Sequence, residues 1–291
     1  MRLKADLVLL LVAILWGSAF AAQRIAGQLG SVHFFNAARF LLAGVLLLPF
    51  AFRSRWTWEQ VIWTCAAGAV LFAGSALQQA GLQTTSAGNA GFLTSLYVVI
   101  VPLVLFLGWR DKPRWHSIAA IVLAAIGAYL LSTGGKYRIQ SGDVLELGGA
   151  ALWAVHVVIL GKFASRYDPI SFSSGQLLAA SSLSWIATGV WEPTTFPLPP
   201  MLLTPILYTA VVSLALGYTL QIWGQRHTPP ADAAIILSLE AVFASLAGAA
   251  LLQERLDPIQ LLGCTIIVVA VLVSQAVGWS RMGAPGESSQ A

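Results

Sequence analysis

The sequence is short of charge. Asp, Glu, Lys and Arg make up 10% of its 291 residues, against about 25% in soluble domains. With 57% hydrophobic residues and a mean hydropathy of +0.77, so few polar groups cannot cover a water-facing surface. The solvent for most of this chain is lipid. The net charge of +4 is small and clusters in short loops, which leaves no basic face for nucleic acid. Cysteine is scarce too. Cys65 and Cys264 both lie in apolar runs and are expected to be buried inert thiols, with neither a disulfide nor a metal site between them. The motifs HExxH, GxSxG and GxxxxGK are absent, as is any Cys/His cluster. The chain therefore reads as no enzyme, with no cofactor and no metal.

Long apolar runs are abundant. A spanning helix needs about 20 mostly apolar residues. Breaking the chain at charges, prolines and polar clusters predicts ten spans: 5–22, 32–52, 60–83, 87–109, 115–133, 144–163, 170–191, 202–225, 230–252 and 258–279. The connections are too short for a soluble domain, and the tail 281–291 is expected to be disordered. Arg2, Lys4 and the Ala19-Phe20-Ala21 triplet imitate a signal peptide, but the repeat described next makes this segment part of the core.

Ten spans put both ends of the chain on one side. That side holds Arg2, Lys4, Arg53, Arg55, Arg110, Lys112, Arg114, Lys162, Arg166, Arg226 and Arg281. The other holds Arg24, Lys136, Arg138 and Arg255, with Arg39 left inside a span. The excess of cations on the first side places both ends in the cytoplasm.

"GSALQQAG" (74–81) and "GYTLQIWG" (217–224) both read G-x-x-L-Q-x-x-G, 143 residues apart. The same offset aligns Thr85, Ala90, Ser95 and Leu96 with Thr228, Ala233, Ser238 and Leu239. Earlier in the chain the offset is 137 and aligns Asp6 with Asp143 and Trp16 with Trp153. The chain thus divides into a first five-helix repeat (1–133), a linker (134–142) and a second repeat (143–280). Five is odd, so the second half enters the membrane from the opposite side. That inverted topology implies a central cavity between the halves and alternating access; the plainer reading is an old duplication without a transport role.

The candidate site residues are the polar and aromatic side chains inside the spans. Gln78 and Gln221 occupy matching places between glycines that admit a neighbouring helix. They either line the cavity or tie helix to helix. Tyr218, Gln221 and Gln225 share one face, and Ser75, Gln78 and Gln79 form a similar one. Glu240, whose repeat partner is Tyr97, reads as a proton or amine site or as a helix anchor, because a charge at that depth needs a partner. Ser238 lies roughly 200° around the helix from Glu240, so one of the two at most can face the cavity squarely. Arg39, aligned with Gln176, can snorkel outward, pair with Glu240 or bind a carboxylate as a fork. His156 shares a face with Trp153, and Trp16 and Trp153 read as cavity wall, gate or plain core. Amides, hydroxyls and aromatics suit a small polar solute with an apolar side chain and suit a sugar phosphate badly.

"LWGSAF", "ARFLLAG", "SLEAVFASLAGAALLQERL" and "QLLG", in this order along the chain, resemble the EamA family of the drug/metabolite transporter superfamily. More narrowly, the chain is similar to YddG-type exporters of aromatic and neutral amino acids. The resemblance implies an all-α membrane protein of ten helices, two inverted five-helix repeats around a central cavity. It implies a carrier of small metabolites out of bacteria across the inner membrane. The first half departs from the family pattern, with Tyr97 where a Pro or Glu is common and Asp111-Lys112 in place of Glu-Arg. Export of amino acids or similar metabolites is therefore the expected function, with the lipid bilayer and a small-molecule substrate as partners. Cation-coupled efflux of hydrophobic drugs, or a non-transporting scaffold, is the alternative. Ala244-x-x-x-Gly248 can pack helices within one monomer or between two.

Overall fold

The computed structural model describes residues 1–29, 31–52, 55–113, 115–133, 140–192 and 200–280. Positions 134–139 of the expected linker, the tail 281–291, and Arg53, Arg114, Lys136, Arg138 and Arg281 of the loop charges lie outside the described residues. Among the described residues there is no strand. Lipid offers backbone N–H and C=O groups no partner, so apolar runs close their hydrogen bonds within themselves.

Among the described residues, seven helical spans are long and apolar enough to cross a membrane. They are α1 (Arg2–Gln28), α2 (His33–Ala51), α3 (Trp58–Gly81), Ala87–Trp109, Ser141–Arg166, Pro200–Gln225 and Pro230–Leu252. The fourth divides into α4 (Ala87–Ser95) and α5 (Tyr97–Trp109). After α6 (Trp115–Thr133), the fifth contains α7 (Ser141–Lys162). α8 (Pro169–Trp191) is long but serine-rich; Ser174 and Ser181 donate to Gly44 O and Ala37 O of α2 at 2.9 and 3.0 Å. The next span holds α9 (Leu203–Tyr208), a π-helical stretch (Thr209–Leu216) and α10 (Gly217–Gln225). The last of the seven divides into α11 (Pro230–Leu237) and α12 (Glu240–Leu252), and α13 (Pro258–Ser280) follows. Apolar stretches Ser117–Thr133 and Pro258–Ser274 are shorter.

Several edges differ from expectation for one reason. A charge does not end a helix if it finds a partner. α1 continues past Arg24, whose guanidinium donates to Leu82 O, and past Gln23, which is buried. Elsewhere caps set the boundaries. Thr57, Ser86 and Asp168 each accept from a backbone N–H of the first turn, and Gln140 with Asp143 forms a capping box on α7.

The two breaks are the most informative local features. Leu96 and Leu239 are aligned in the repeat, and at each the chain makes short hydrogen bonds to the third residue back. Leu96 N bonds Leu93 O at 3.3 Å, and Leu239 N bonds Ile236 O at 3.2 Å. Pro102 cannot be the cause, since its counterpart in the second half is Ser245. Both broken spans also stop alike, at Arg110 and Gln253 with φ of 57° and 58°. Each carries a bond from the following N–H to the carbonyl six residues back, after a left-handed residue that ends the helix. Tyr97 and Glu240 are the first residues after the two breaks.

Helix packing repeats in the same sense. α2 lies along α8 and α6 along α13; α3 packs on α7 as α10 packs on α1; α12 packs on α1 as α4 and α5 pack on α7. Among the described residues four apolar clusters form the core, and Trp16 and Trp153 pack against the two largest. α1 is embedded in this core, with Leu9, Val12 and Ala13 fully buried. Small residues do their packing inside one chain: a Cβ at Gly91 would lie 2.6 Å from Ala244 Cβ. The cysteines correct the expectation. Cys65 is exposed and Cys264 half-buried, because an apolar side chain with lipid as its solvent has no need of the protein interior. Gln, Ser and Thr take the inside instead.

Candidate functional site

A cavity of about 50 Å³ lies between the halves, smaller than the about 300–1,000 Å³ typical of small-molecule sites. All nine residues singled out in the sequence line it: Trp16, Arg39, Gln78, Tyr97, Trp153, His156, Tyr218, Gln221 and Glu240. The first half contributes four of them and the second half five. Among the described residues no three His, Cys, Asp or Glu side chains come together as metal ligands would.

The glycine octets explain part of this wall. A Cβ at Gly217 would meet Trp16 Nε1 at 2.6 Å, and one at Gly74 would meet Trp153 Cε2 at 3.4 Å. The first glycine of each octet therefore seats the tryptophan of the opposite half. That seating brings four rings into a row. Trp16 and Tyr218 have centroids 5.2 Å apart, Tyr218 and His156 5.4 Å, and His156 and Trp153 5.9 Å with planes at 90°. Trp16 Nε1 donates to Ser213 O at 2.9 Å, a carbonyl of the π-helical stretch, whose widened turns are a common feature of functional sites.

Arg39 is 2% exposed and neither snorkels nor pairs with Glu240. Its Nε donates to Asn36 Oδ1 at 3.0 Å and its Nη1 to Gln23 Oε1 at 2.8 Å, and its guanidinium lies over Phe35 at 4.8 Å. Among the described residues no carboxylate forms an ion pair with it. Buried charges are normally paired, so amide oxygens and an aromatic face leave this cation open to a further acceptor. Glu240 Oε1 and the Tyr97 hydroxyl are buried without a hydrogen-bond partner. Ser238, as the helical angle required, turns away and donates to Ile235 O.

The two glutamines part company. Gln78 Nε2 donates to Thr94 Oγ1 at 3.0 Å, whereas both amide atoms of Gln221 are buried with no protein partner. Gln79 and Gln225 leave the expected faces: they donate to Gln23 O and Val157 O. His156 Nε2 meets Gln176 Oε1 at 3.0 Å, so the residue aligned with Arg39 anchors the histidine.

Ser75, read as sharing a face with Gln78, lines the wall too, and other wall residues escaped the sequence reading: Phe20, Gln23, Thr94 and Ser213. Short polar side chains in apolar helices carry no signal that separates wall from helix packing. Glu146, fully buried behind Thr94, had a signal: it lies seven residues before Trp153, on the same helix face. Its repeat partner is the apolar Leu9, which hid it from the comparison of halves.

The comparisons with known proteins agree with this geometry. The model of the EamA-like transporter family matches residues 3–133 and 140–275. An uncharacterized transporter of Archaeoglobus fulgidus is 35% identical over 94% of this chain and 86% of its own length. The threonine/homoserine exporter RhtA of Escherichia coli K12 is 27% identical over 92% of this chain and 90% of its own. A solved crystal structure superposes with a TM-score of 0.78 over 98% of this chain and 100% of its own, at 16% identity, which speaks to the fold alone.

Proposed function

The chain belongs to the EamA-like transporter family, and on that premise we propose that it exports neutral or aromatic amino acids, or similar small metabolites. In this reading it crosses the bacterial inner membrane ten times, with both ends in the cytoplasm. Its halves are inverted repeats that exchange conformations to move the cavity mouth from one side to the other. The aligned breaks, the matching left-handed stops and the exchangeable helix pairings support the inverted repeat. The exporter name of RhtA supports the solute class.

One observation carries the reading: a central cavity with an unpaired Arg39, an unpartnered Glu240 oxygen and a row of four aromatic rings. Arg39 suits a carboxylate, Glu240 an amine, and the rings an apolar side chain. Gln221 and Tyr218 orient the polar end. The test is counterflow in liposomes of the purified protein, each batch loaded with one unlabelled amino acid. Labelled neutral amino acid should accumulate only in batches loaded with a solute the protein carries. No exchange with any amino acid, together with efflux of lipophilic cations under a pH gradient, would replace this reading with drug efflux.

A further inference from the structure

Glu146 is a buried carboxyl that the cavity reading does not use. It is fully buried on α7, and its Oε1 has no hydrogen-bond partner. Room for it is built into the fold: a Cβ at Gly81 would lie 2.8 Å from both Cγ and Oε1 of Glu146. The second glycine of the first octet thus reserves space for this side chain. Its other oxygen accepts from Thr94 Oγ1 at 3.2 Å, and Thr94 Oγ1 in turn accepts from Gln78 Nε2 at 3.0 Å. Thr94 and Gln78 line the cavity. The ionisable groups that face Glu146 are Asp143, one turn earlier on α7, and Glu240 of α12. From α3 and α4 it meets Gly81 and Thr94, with Gln78 behind Thr94, and all three are uncharged. Asp143 is already held by Thr85 at 2.6 Å and Asn89 at 2.7 Å.

We propose that Glu146 is a proton-carrying group, and that its protonation state decides, through Thr94, which end of the Gln78 amide faces the cavity. A hydroxyl has one proton to give, so the direction of this three-member chain is set at its end. When Glu146 is ionised it can only accept. Thr94 then donates to it, Gln78 Nε2 donates to Thr94, and Gln78 Oε1 is left for the cavity as an acceptor. When Glu146 takes a proton from the aqueous phase it donates to Thr94 Oγ1. Thr94 then donates onward, the Gln78 amide turns over to accept, and its NH₂ faces the cavity as a donor. One proton, returned to water at the end of the cycle, thus inverts the preference of the wall from solute donors to solute acceptors. That consequence rests on the reading of the cavity as a solute site; the titration itself does not.

The test needs no solute. pH-difference infrared spectra of the detergent-purified full chain are recorded from about pH 4 to pH 10 in the carboxyl stretching region. A carboxyl band that titrates in the wild type should vanish in Glu146→Gln and persist in Glu240→Gln. Its midpoint should rise by about one pH unit in Thr94→Val, which removes a donor to the ionised form, and stay in place in Thr94→Ser. Gln78→Leu should raise it by less. A band absent from the wild type, one that survives Glu146→Gln, or one whose midpoint ignores Thr94→Val overturns the proposal. If Glu146→Gln does not fold, the Thr94 and Gln78 variants decide. Failure here with successful counterflow removes the proton relay and leaves the exporter; the reverse removes the exporter.

Discussion

Trp16 and Trp153 hold equivalent places in the two halves, as do Gln78 and Gln221, yet in each pair one member is bonded and the other is not. Trp16 donates to Ser213 O while Trp153 Nε1 is buried without a partner, and Gln78 is tied to Thr94 while Gln221 is free at both atoms. Charge divides the same way. Arg39 in the first half is aligned with Gln176 in the second, and Glu240 in the second with Tyr97 in the first. A duplicated scaffold with a duplicated lining would recognise a symmetric solute. This one keeps the duplicated backbone and breaks the symmetry in its polar atoms, as suits a solute whose two ends differ. Buried polar groups are almost always satisfied, so in the proposed reading the unbonded members are where a solute or water completes the wall.

The largest effect should come from the cation. Arg39→Gln removes the one guanidinium on the wall and should lower exchange by tenfold or more, since hydrogen bonds to a charged group are worth about 1.5–3 kcal/mol. Arg39→Lys should not restore it, because one ammonium cannot replace a fork that reaches both Gln23 and Asn36. Exchange equal to wild type in Arg39→Lys would make the residue a mere counter-charge.

Next comes the seating of the two tryptophans. Gly217→Ala forces a methyl to 2.6 Å from Trp16, whereas Gly74→Ala meets Trp153 at an ordinary 3.4 Å. Overpacking of this kind costs about 1–3 kcal/mol. Thermal unfolding in detergent should show a clear loss for Gly217→Ala and almost none for Gly74→Ala. Equal losses would mean that the seats are equivalent.

Gln221→Leu and Gln78→Leu separate binding from folding. Gln221 has no internal bond to lose, so its variant should keep its melting temperature and lose exchange. Gln78→Leu takes from Thr94 Oγ1 the donor it accepts from and should cost about 1 kcal/mol of stability as well. A Gln221→Leu protein with normal exchange would remove Gln221 from the solute site.

The smallest effect concerns two helix starts. α8 is capped by its own Asp168, but α2 borrows its cap: Glu192, after the end of α8, accepts from Val32 N, His33 N and Phe34 N at 2.7–2.9 Å and from Ser31 Oγ at 2.8 Å. Partial burial disfavours the ionised carboxyl, but these four donors outweigh it and hold Glu192 below the usual carboxylate range. A depressed value means that the cap is at full strength above the unfolded value and fades as pH falls through the folded one. Glu192→Gln should cost about 0.5–1 kcal/mol at neutral pH, and the gap to wild type should close on acidification. A gap that persists in acid would assign the loss to shape, not charge.

Much of this architecture was legible in the residues. Lipid as solvent follows from the scarcity of charge, the helices from the length of the apolar runs, and the repeat from the octets and their offset. The cavity residues were legible for a related reason. A polar or aromatic side chain deep in an apolar helix needs a partner that lipid cannot supply, so those few must converge on one another. The same logic failed for Cys65, where apolar surroundings in sequence meant lipid in space. It failed for Glu146, which faced an apolar residue in the aligned half, and for Gln79 and Gln225, whose amides found carbonyls on neighbouring helices.

Helix formation depends on bonds between residues four apart and on side-chain hydropathy, and both are properties of short stretches of chain. The sequence alone therefore settles the helices, the duplication and the set of residues that must avoid lipid. Which glutamine is bonded, where the spans Ala87–Trp109 and Pro230–Leu252 break, and which carboxyl sits behind Thr94 depend on contacts between residues tens to hundreds of positions apart. A hydrogen bond is won or lost within a few tenths of an ångström. Only the packed helices, brought close at Gly81 and Gly217, set those distances.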